Sequence, residues 1–206
     1  MTKLAILGAS CHGKVVADAA FESGAWDEIV FFDDAYPDKK KLECWTVIGS
    51  TLDLIIDLNN YHVIVAIGDN KTRFKKQAVL EANGAVIATV IHPKSTVSSF
   101  STIEQGSVVM AGAIVNAFSY ISKSCIVNSN SVIEHDCFLG CGVHISPNAS
   151  LAGGVKIGNM SWVGIASCVR ELISIGESII IGAGSVVVKN VFIKGVYVGN
   201  PLRQIE

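Results

Sequence analysis

No stretch of apolar residues in this sequence reaches the roughly 18 that a membrane-spanning helix needs. The opening residues also lack the basic start, long apolar segment and small-residue cleavage site of a secretory signal. The expectation is a cytoplasmic protein with no membrane partner. Charge is scarce: 17 % of the 206 residues are charged, with a formal net charge of -2. The basic surface that nucleic acid wants is therefore missing, and no nucleic-acid partner is expected. The six cysteines, Cys11, Cys44, Cys125, Cys137, Cys141 and Cys168, contain no Cys-x-x-Cys pair. Free thiols in a reducing compartment follow, in preference to disulfides or a zinc site. Apolar residues are abundant at 50 %, with 19 Gly, which fits a well-buried, β-rich globular chain with room for one large domain or two small ones.

From Val97 onward every sixth residue is Val, Ile or Leu: Val97, Ile103, Val109, Val115, Ile121, Val127, Ile133, Leu139, Ile145, Leu151, Ile157, Val163, Val169, Ile175, Ile181, Val187 and Ile193. The residue two before is usually small (Ser107, Ala113, Ser119, Ser131, Ala149, Ser161), and the residue after is often Gly (Gly140, Gly158, Gly164, Gly176, Gly182). Cys125, Cys137 and Cys168 share repeat positions with Ser or Val and are expected as small apolar fillers. This period matches a chain that makes a short strand, turns and repeats, with the aliphatic side chain inward each time. Three hexads close one triangular turn of about eighteen residues, and turns stack about 4.8 Å apart. The flat faces of such a prism, with Val132, Val163 and Ile165 near the middle, favour a symmetric homo-oligomer, and three-fold symmetry matches three sides.

The first ninety residues read as strands alternating with helices, hence a small Rossmann-like parallel sheet. Strands are expected at 3–7, 28–32, 61–67 and 86–91. Helices are expected from Gly13 to Gly24 with Val15, Val16, Ala19 and Ala20 inward, after the cap Ser50 with Leu52, Leu54, Ile55 and Leu58, and over 71–83 with Phe74, Ala78, Val79 and Leu80 inward. The Lys-rich stretch 38–41 reads as a loop. His92-Pro93 closes this part, so the expected domains are 1–92, an α/β domain, and 93–206, an all-β coil with a C-terminal tail.

Ligands of such sheets bind at the carboxyl ends of the strands. Three turns lie there: Gly8 to Gly13, Asp33-Asp34, and Gly68-Asp69-Asn70. Gly8 to Lys14 has the spacing of a phosphate loop, but Val15 stands where the Mg²⁺-binding Ser or Thr belongs, and Ser10 replaces the second Gly of a dinucleotide fingerprint. What remains is a Gly-bounded turn opening a helix, whose free N–H groups suit a phosphate, with an acid pair where a ribose- or base-reading acid sits.

In the coil, Asn128, Asn130, Glu134, His135, Asp136 and His144 crowd a section whose neighbours are Ala, Ser, Gly and aliphatics. His135 has acids on both sides, and a neighbouring carboxylate fixes a histidine's tautomer and helps it accept a proton, as a general base requires. His144 follows nine residues later, half a circuit, so the two imidazoles fall on opposite sides of one coil and could meet only across a subunit interface. Three converging ligands are wanting, and no metal is expected.

The hexad coil, Ile133-Glu134-His135-Asp136-Cys137, Ser150 to Gly158, Ile181-Gly182-Ala183-Gly184-Ser185 and Val198-Gly199-Asn200-Pro201 resemble left-handed β-helix acyltransferases. The Gly8 to Lys14 turn and Ala66-Ile67-Gly68-Asp69-Asn70 are similar to the two-domain branch. That branch holds nucleotide-linked 4-amino-sugar N-acetyltransferases and relatives described as sialic acid O-acetyltransferases. The resemblance covers essentially the whole chain. It implies a homotrimer with acetyl-CoA along the coil at each subunit interface, and acetyl transfer to the C4 amine of a nucleotide-linked amino sugar, for surface polysaccharide or glycan synthesis. It further implies His135 as general base with Asp136 beside it, and His144, Gly153, Ile165 and Ala183 around acetyl-CoA. Around the nucleotide-sugar it implies Ser10, Cys11, His12, Asp33, Asp34, Gly68, Asp69 and Asn70. Cys11 departs from the family's commoner Gly in that turn. Cys137 is expected in the core, and no covalent enzyme intermediate is needed. Two rivals remain: O-acetylation of a sugar hydroxyl, and a non-catalytic coil that binds a sugar nucleotide.

Overall fold

The computed structural model describes residues 2–205. The chain divides between Pro93 and Lys94 into two compact units.

The first unit is built on a six-stranded sheet in the order β3-β4-β2-β1-β5-β6: β1 (Lys3–Leu7), β2 (Glu28–Phe32), β3 (Lys41–Leu42), β4 (Trp45–Gly49), β5 (His62–Val65) and β6 (Val86–Ile87). β1 lies between β2 and β5, parallel to both, and Leu4, Ala5 and Ile6 have no exposed surface. A strand covered on both faces has no reason to alternate, hence its unbroken apolar run. The stretch expected as a Lys-rich loop is turn and irregular chain through Lys40, but Lys41 opens β3, hairpinned antiparallel onto β4 with Glu43 in the left-handed region at φ 54°. The expected strand 86–91 is interrupted after β6, and a two-residue strand, Val90–Ile91, follows.

Helices α1 (Cys11–Ser23), α2 (Thr51–Ile56) and α3 (Asn70–Ala82) have sequence-local causes. Gly24 closes α1 at φ 64°, a conformation Gly adopts without strain. Ser50 and Asp53 form a capping box on α2. Asp69 caps α3 by accepting the Thr72 amide at 2.8 Å. Gly13 packs so close to the Gly8 carbonyl that any Cβ there would collide with it, which explains the paired glycines without invoking a phosphate.

The buried helix faces differ from expectation. In α1 Val15 is 48 % exposed while Val16, Ala17, Ala19 and Ala20 are buried, and in α2 Leu52 faces solvent. In α3 the inward stripe is Arg73, Gln77 and Leu80, whereas Ala78 and Val79 are exposed and Phe74 is half-buried. The cause is hydrogen bonding: Arg73 donates to the carbonyls of Ile67 and Gly68 and to Asn70 Oδ1, which satisfies a buried guanidinium as an apolar side chain could not.

The second unit is a left-handed parallel β-helix of two-residue strands in three sheets. Each strand pairs with the strand one turn on, as Val115↔Ile133 and Ile133↔Leu151. The hexad aliphatics from Val109 to Val187 point inward and are buried. The small residues two positions earlier also face in and bridge turns: Ser119 Oγ donates to the Glu134 carbonyl at 2.6 Å and accepts from the Cys137 amide. A Cβ on Gly164 would come 2.6 Å from the Ile181 carbonyl oxygen, so the Gly after the aliphatic is demanded by the stacked turn.

The register fails at its end. Ile193 is 70 % exposed and Val191 takes the inward place, because the last turn is shortened: Ile175 bridges Val191 and Ile181 pairs with Tyr197. Two face assignments also change. Val163 is fully buried, and Trp162 is the outward residue of that strand. Cys168, expected as a filler, precedes Val169 and is exposed, while Cys125 and Cys137 are buried.

Candidate functional site

The coil turns each corner through a left-handed residue three positions after the inward aliphatic. Asp136 is one of these, at φ 60°, and it carries His135 out with it, side chains 64 % and 62 % exposed. The imidazole Nδ1 lies 2.8 Å from Asp136 Oδ2. An ionised carboxylate only accepts, so Nδ1 carries the hydrogen and Nε2 presents its lone pair outward. One turn on, Gly153 lies against the ring: a Cβ there would stand 2.6 Å from Cε1 and 2.7 Å from Nε2. The Gly154 amide donates to the His135 carbonyl at 2.9 Å. An exposed, tautomer-fixed imidazole of this kind can accept a proton at Nε2.

His144 is held differently. It opens the strand His144–Ile145, and its Nε2 is 3.1 Å from Asn128 Nδ2. The Ser129 amide donates to Asn128 Oδ1, which turns the amide NH₂ toward His144 and commits the Nε2 lone pair. The ring stacks on Trp162 with centroids 5.2 Å apart and planes at 10°, and Trp162 Nε1 donates to Ser146 Oγ at 2.6 Å. His144, Ser146 and Trp162, with Gly164, Ile165, Ile180 and Ala183, line an open, largely apolar cavity of about 400 Å³. His144, Ile165 and Ala183 thus share one groove, and neither His135 nor Gly153 lines it. Burial pushes the Cys137 thiol up to about 11, which removes it as a nucleophile.

In the first unit a cavity of about 210 Å³ gathers Gly8, Ser10, Asp33, Asp34, Thr72 and Lys76. Asp33 accepts the amides of Ala9 and Ala35. Asp34 binds Lys76 at 2.7 Å and the Thr51 amide at 2.9 Å; the Lys76 contact and then Thr51 hold its carboxyl down at about 2. Gly68, Asp69 and Asn70 do not line this cavity; Asp69 caps α3 and the other two are bound by Arg73. Cys11 opens α1 and is exposed. His12 Nε2 is buried without a hydrogen-bond partner, and burial, then the Arg73 charge, pushes its pKa down to about 4.

Trp162, Ser146, Thr72, Lys76 and Arg73 escaped sequence reasoning. A signal existed for Trp162, which lies in the outward column His144, Trp162, Ile180 one turn apart. Arg73 offered none, since a charged residue on a helix is ordinarily solvated. Among the described residues no cluster of His, Cys, Asp and Glu could hold a metal, and no helix is long and apolar enough to cross a membrane.

Residues 3–80 match the PglD N-terminal domain family. The acetyltransferase domain of PglB from Neisseria gonorrhoeae, solved with acetyl coenzyme A, is 40 % identical, with 98 % of each chain covered and a TM-score of 0.95. PerB from Caulobacter crescentus, solved with CoA and GDP-perosamine, is 32 % identical over 100 % of this chain and 98 % of that one, at a TM-score of 0.93. WeeI from Acinetobacter baumannii is 26 % identical over the whole of both chains, at 0.91.

Proposed function

The chain belongs to the acetyl-CoA-dependent sugar N-acetyltransferases with a left-handed β-helix, and on that premise we propose that it acetylates the C4 amine of a nucleotide-linked amino-deoxy sugar with His135 as general base. The observation that carries this reading is the His135–Asp136 contact, which leaves Nε2 as an exposed acceptor. Relatives solved with acetyl coenzyme A, or with CoA and GDP-perosamine, support both substrate classes. In this reading the working assembly is a homotrimer in which a neighbouring copy brings its His144 groove to the His135 corner; that the two lie on different strands of one coil supports it.

The groove fits the co-substrate. Its apolar walls, Trp162, Ile165, Ile180 and Ala183, suit a pantetheine arm, with His144 near the thioester; Gly153 serves this binding through the ring it supports. Acetyl-CoA supplies an activated acetyl group. The sugar's handle is held by Ser10, Asp33 and Asp34, which line the cavity; Cys11, His12 and the Gly68-Asp69-Asn70 turn stand outside that lining, at the starts of α1 and α3. The free amine attacks the acetyl carbonyl carbon, His135 Nε2 takes the proton the nitrogen sheds, Asp136 compensates the imidazolium charge, and a backbone N–H takes the oxygen's developing charge. The carbon–sulfur bond breaks and the proton held on His135 passes to the departing sulfur, so that CoA leaves as the thiol and the imidazole is neutral again. The product fits the assembly of surface polysaccharide or glycan.

A panel of UDP-, dTDP- and GDP-linked 4-amino sugars with acetyl-CoA, followed by release of free thiol, tests this function. Amine-dependent thiol release with one nucleotide supports it. Release driven only by sugar hydroxyls contradicts it and favours O-acetylation.

A further inference from the structure

Two phenylalanines on the coil have no core role. Phe100 and Phe118 are 69 % and 68 % exposed, and their rings lie against each other with centroids 5.7 Å apart and planes at 33°. Phe118 occupies a corner position at φ 62°, where a bulky side chain is disfavoured and Gly, Asn or Asp is at ease. Other corners hold Gly112, Asn130, Gly142 and Asn148, and also Met160, Ala166 and Leu172; Phe118 is the aromatic among the described left-handed residues. A strained aromatic that buries almost nothing points to use outside the fold.

Its place says which use. Corners repeat every turn, so Phe118 stands one turn before Asp136 on the same edge, about 4.8 Å away along the axis, and the Asp136 amide donates to the Ala117 carbonyl at 3.1 Å. The aromatic pair therefore continues the His135–Asp136 edge toward the early turns. The groove of His144, Trp162 and Ile180 runs the opposite way, toward the late turns. If the late side takes the acyl donor, the early side is left for the acceptor.

We propose that Phe100 and Phe118 form the platform on which the acceptor's sugar ring lies, its apolar C–H face against the rings and its amine toward His135. The proposal rests on the function argued above and adds its specificity surface. The electron-rich face of an aromatic ring attracts the positively polarised C–H groups of a pyranose and places the ring without competing for Asp136.

The test is calorimetric and uses no acetyl-CoA. The nucleotide-linked 4-amino sugar that the wild type binds, and the matching nucleoside diphosphate alone, are titrated into wild type, Phe118→Gly, Phe118→Tyr, Phe100→Ser and His135→Ala. Glycine suits the corner backbone, so Phe118→Gly keeps the fold. Expected are a loss of affinity of at least tenfold for the nucleotide sugar in Phe118→Gly, a smaller loss in Phe100→Ser, near-wild-type affinity in Phe118→Tyr and His135→Ala, and unchanged affinity for the nucleoside diphosphate throughout. Unchanged nucleotide-sugar affinity in both Phe118→Gly and Phe100→Ser overturns the proposal, as does an equal loss for the nucleoside diphosphate. Dissociation of the oligomer in either variant also overturns it, by making the pair a subunit contact. A wild type that binds none of the panel overturns the function itself, and is told apart by being blind to these substitutions.

Discussion

The imidazole of His135 rests on Gly153: no side chain separates them, and a Cβ on Gly153 would lie 2.7 Å from Nε2. Gly153 is outside the positive-φ residues, so alanine fits its backbone and the ring must yield. Gly153→Ala is expected to leave the thermal midpoint nearly unchanged while kcat falls by roughly 10², the cost of misplacing a catalytic group by about 1 Å. Steady-state kinetics with a melting curve checks this; full activity with a displaced ring contradicts it.

His12 makes the first unit sensitive to mild acid. Its folded pKa is about 4, below the ordinary 6.5, so the unfolded chain takes up the proton first as pH falls. Stability present above pH 6.5 is lost progressively down to pH 4, by about 3 kcal/mol in the limit. The Asp34 carboxyl, at about 2, titrates below that window. Urea unfolding at pH 7 and pH 4.5 is expected to show a smaller loss in His12→Gln than in wild type; equal losses exclude His12 as the cause.

Trp162 both walls the groove and stacks on His144. Trp162→Ala is expected to raise KM for acetyl-CoA about tenfold, in line with removal of an aromatic contact, with little effect on KM for the nucleotide sugar. A change confined to the sugar's KM would assign the groove to the other substrate.

If each site joins His135 of one copy to the His144 groove of the next, two crippled variants complement. Each mixed trimer of His135→Ala and His144→Ala has one of its three seams with both histidines intact, and three quarters of randomly assembled trimers are mixed, so about a quarter of wild-type activity returns on equal mixing with subunit exchange. No recovery places both residues in one subunit's site.

The coil was legible because an inward aliphatic every sixth residue has no other common explanation; that its corner turns His135 outward is seen only in the folded chain. Its end was not legible: Ile193 keeps the hexad spacing, but the shortened last turn gives the inward place to Val191, and a deletion between aliphatics leaves no trace in the register. Outward residues were harder still. Cys168 and Trp162 differ from their inward neighbours only by parity: the inward hexad position of Val163 holds, its place on a flat face does not, and Cys168 faces out. In the first unit the strands announced themselves by apolar runs, whereas the β3–β4 hairpin, with Lys41 at its edge, looked like a polar loop. The inward face of α3 was hidden because Arg73 is buried by carbonyl acceptors that only the folded chain supplies. Of the candidate site, the acid–histidine pair and most of the groove were readable, but the support under the ring was not, since glycine says only that a Cβ is missing.

The account rests on His135 as the base. The direct test is kcat of His135→Ala on the nucleotide amino sugar that the wild type turns over, with acceptor binding measured alongside. The expected result is a fall in kcat of roughly 10²–10⁴ with binding nearly unchanged; a kcat equal to wild type contradicts it.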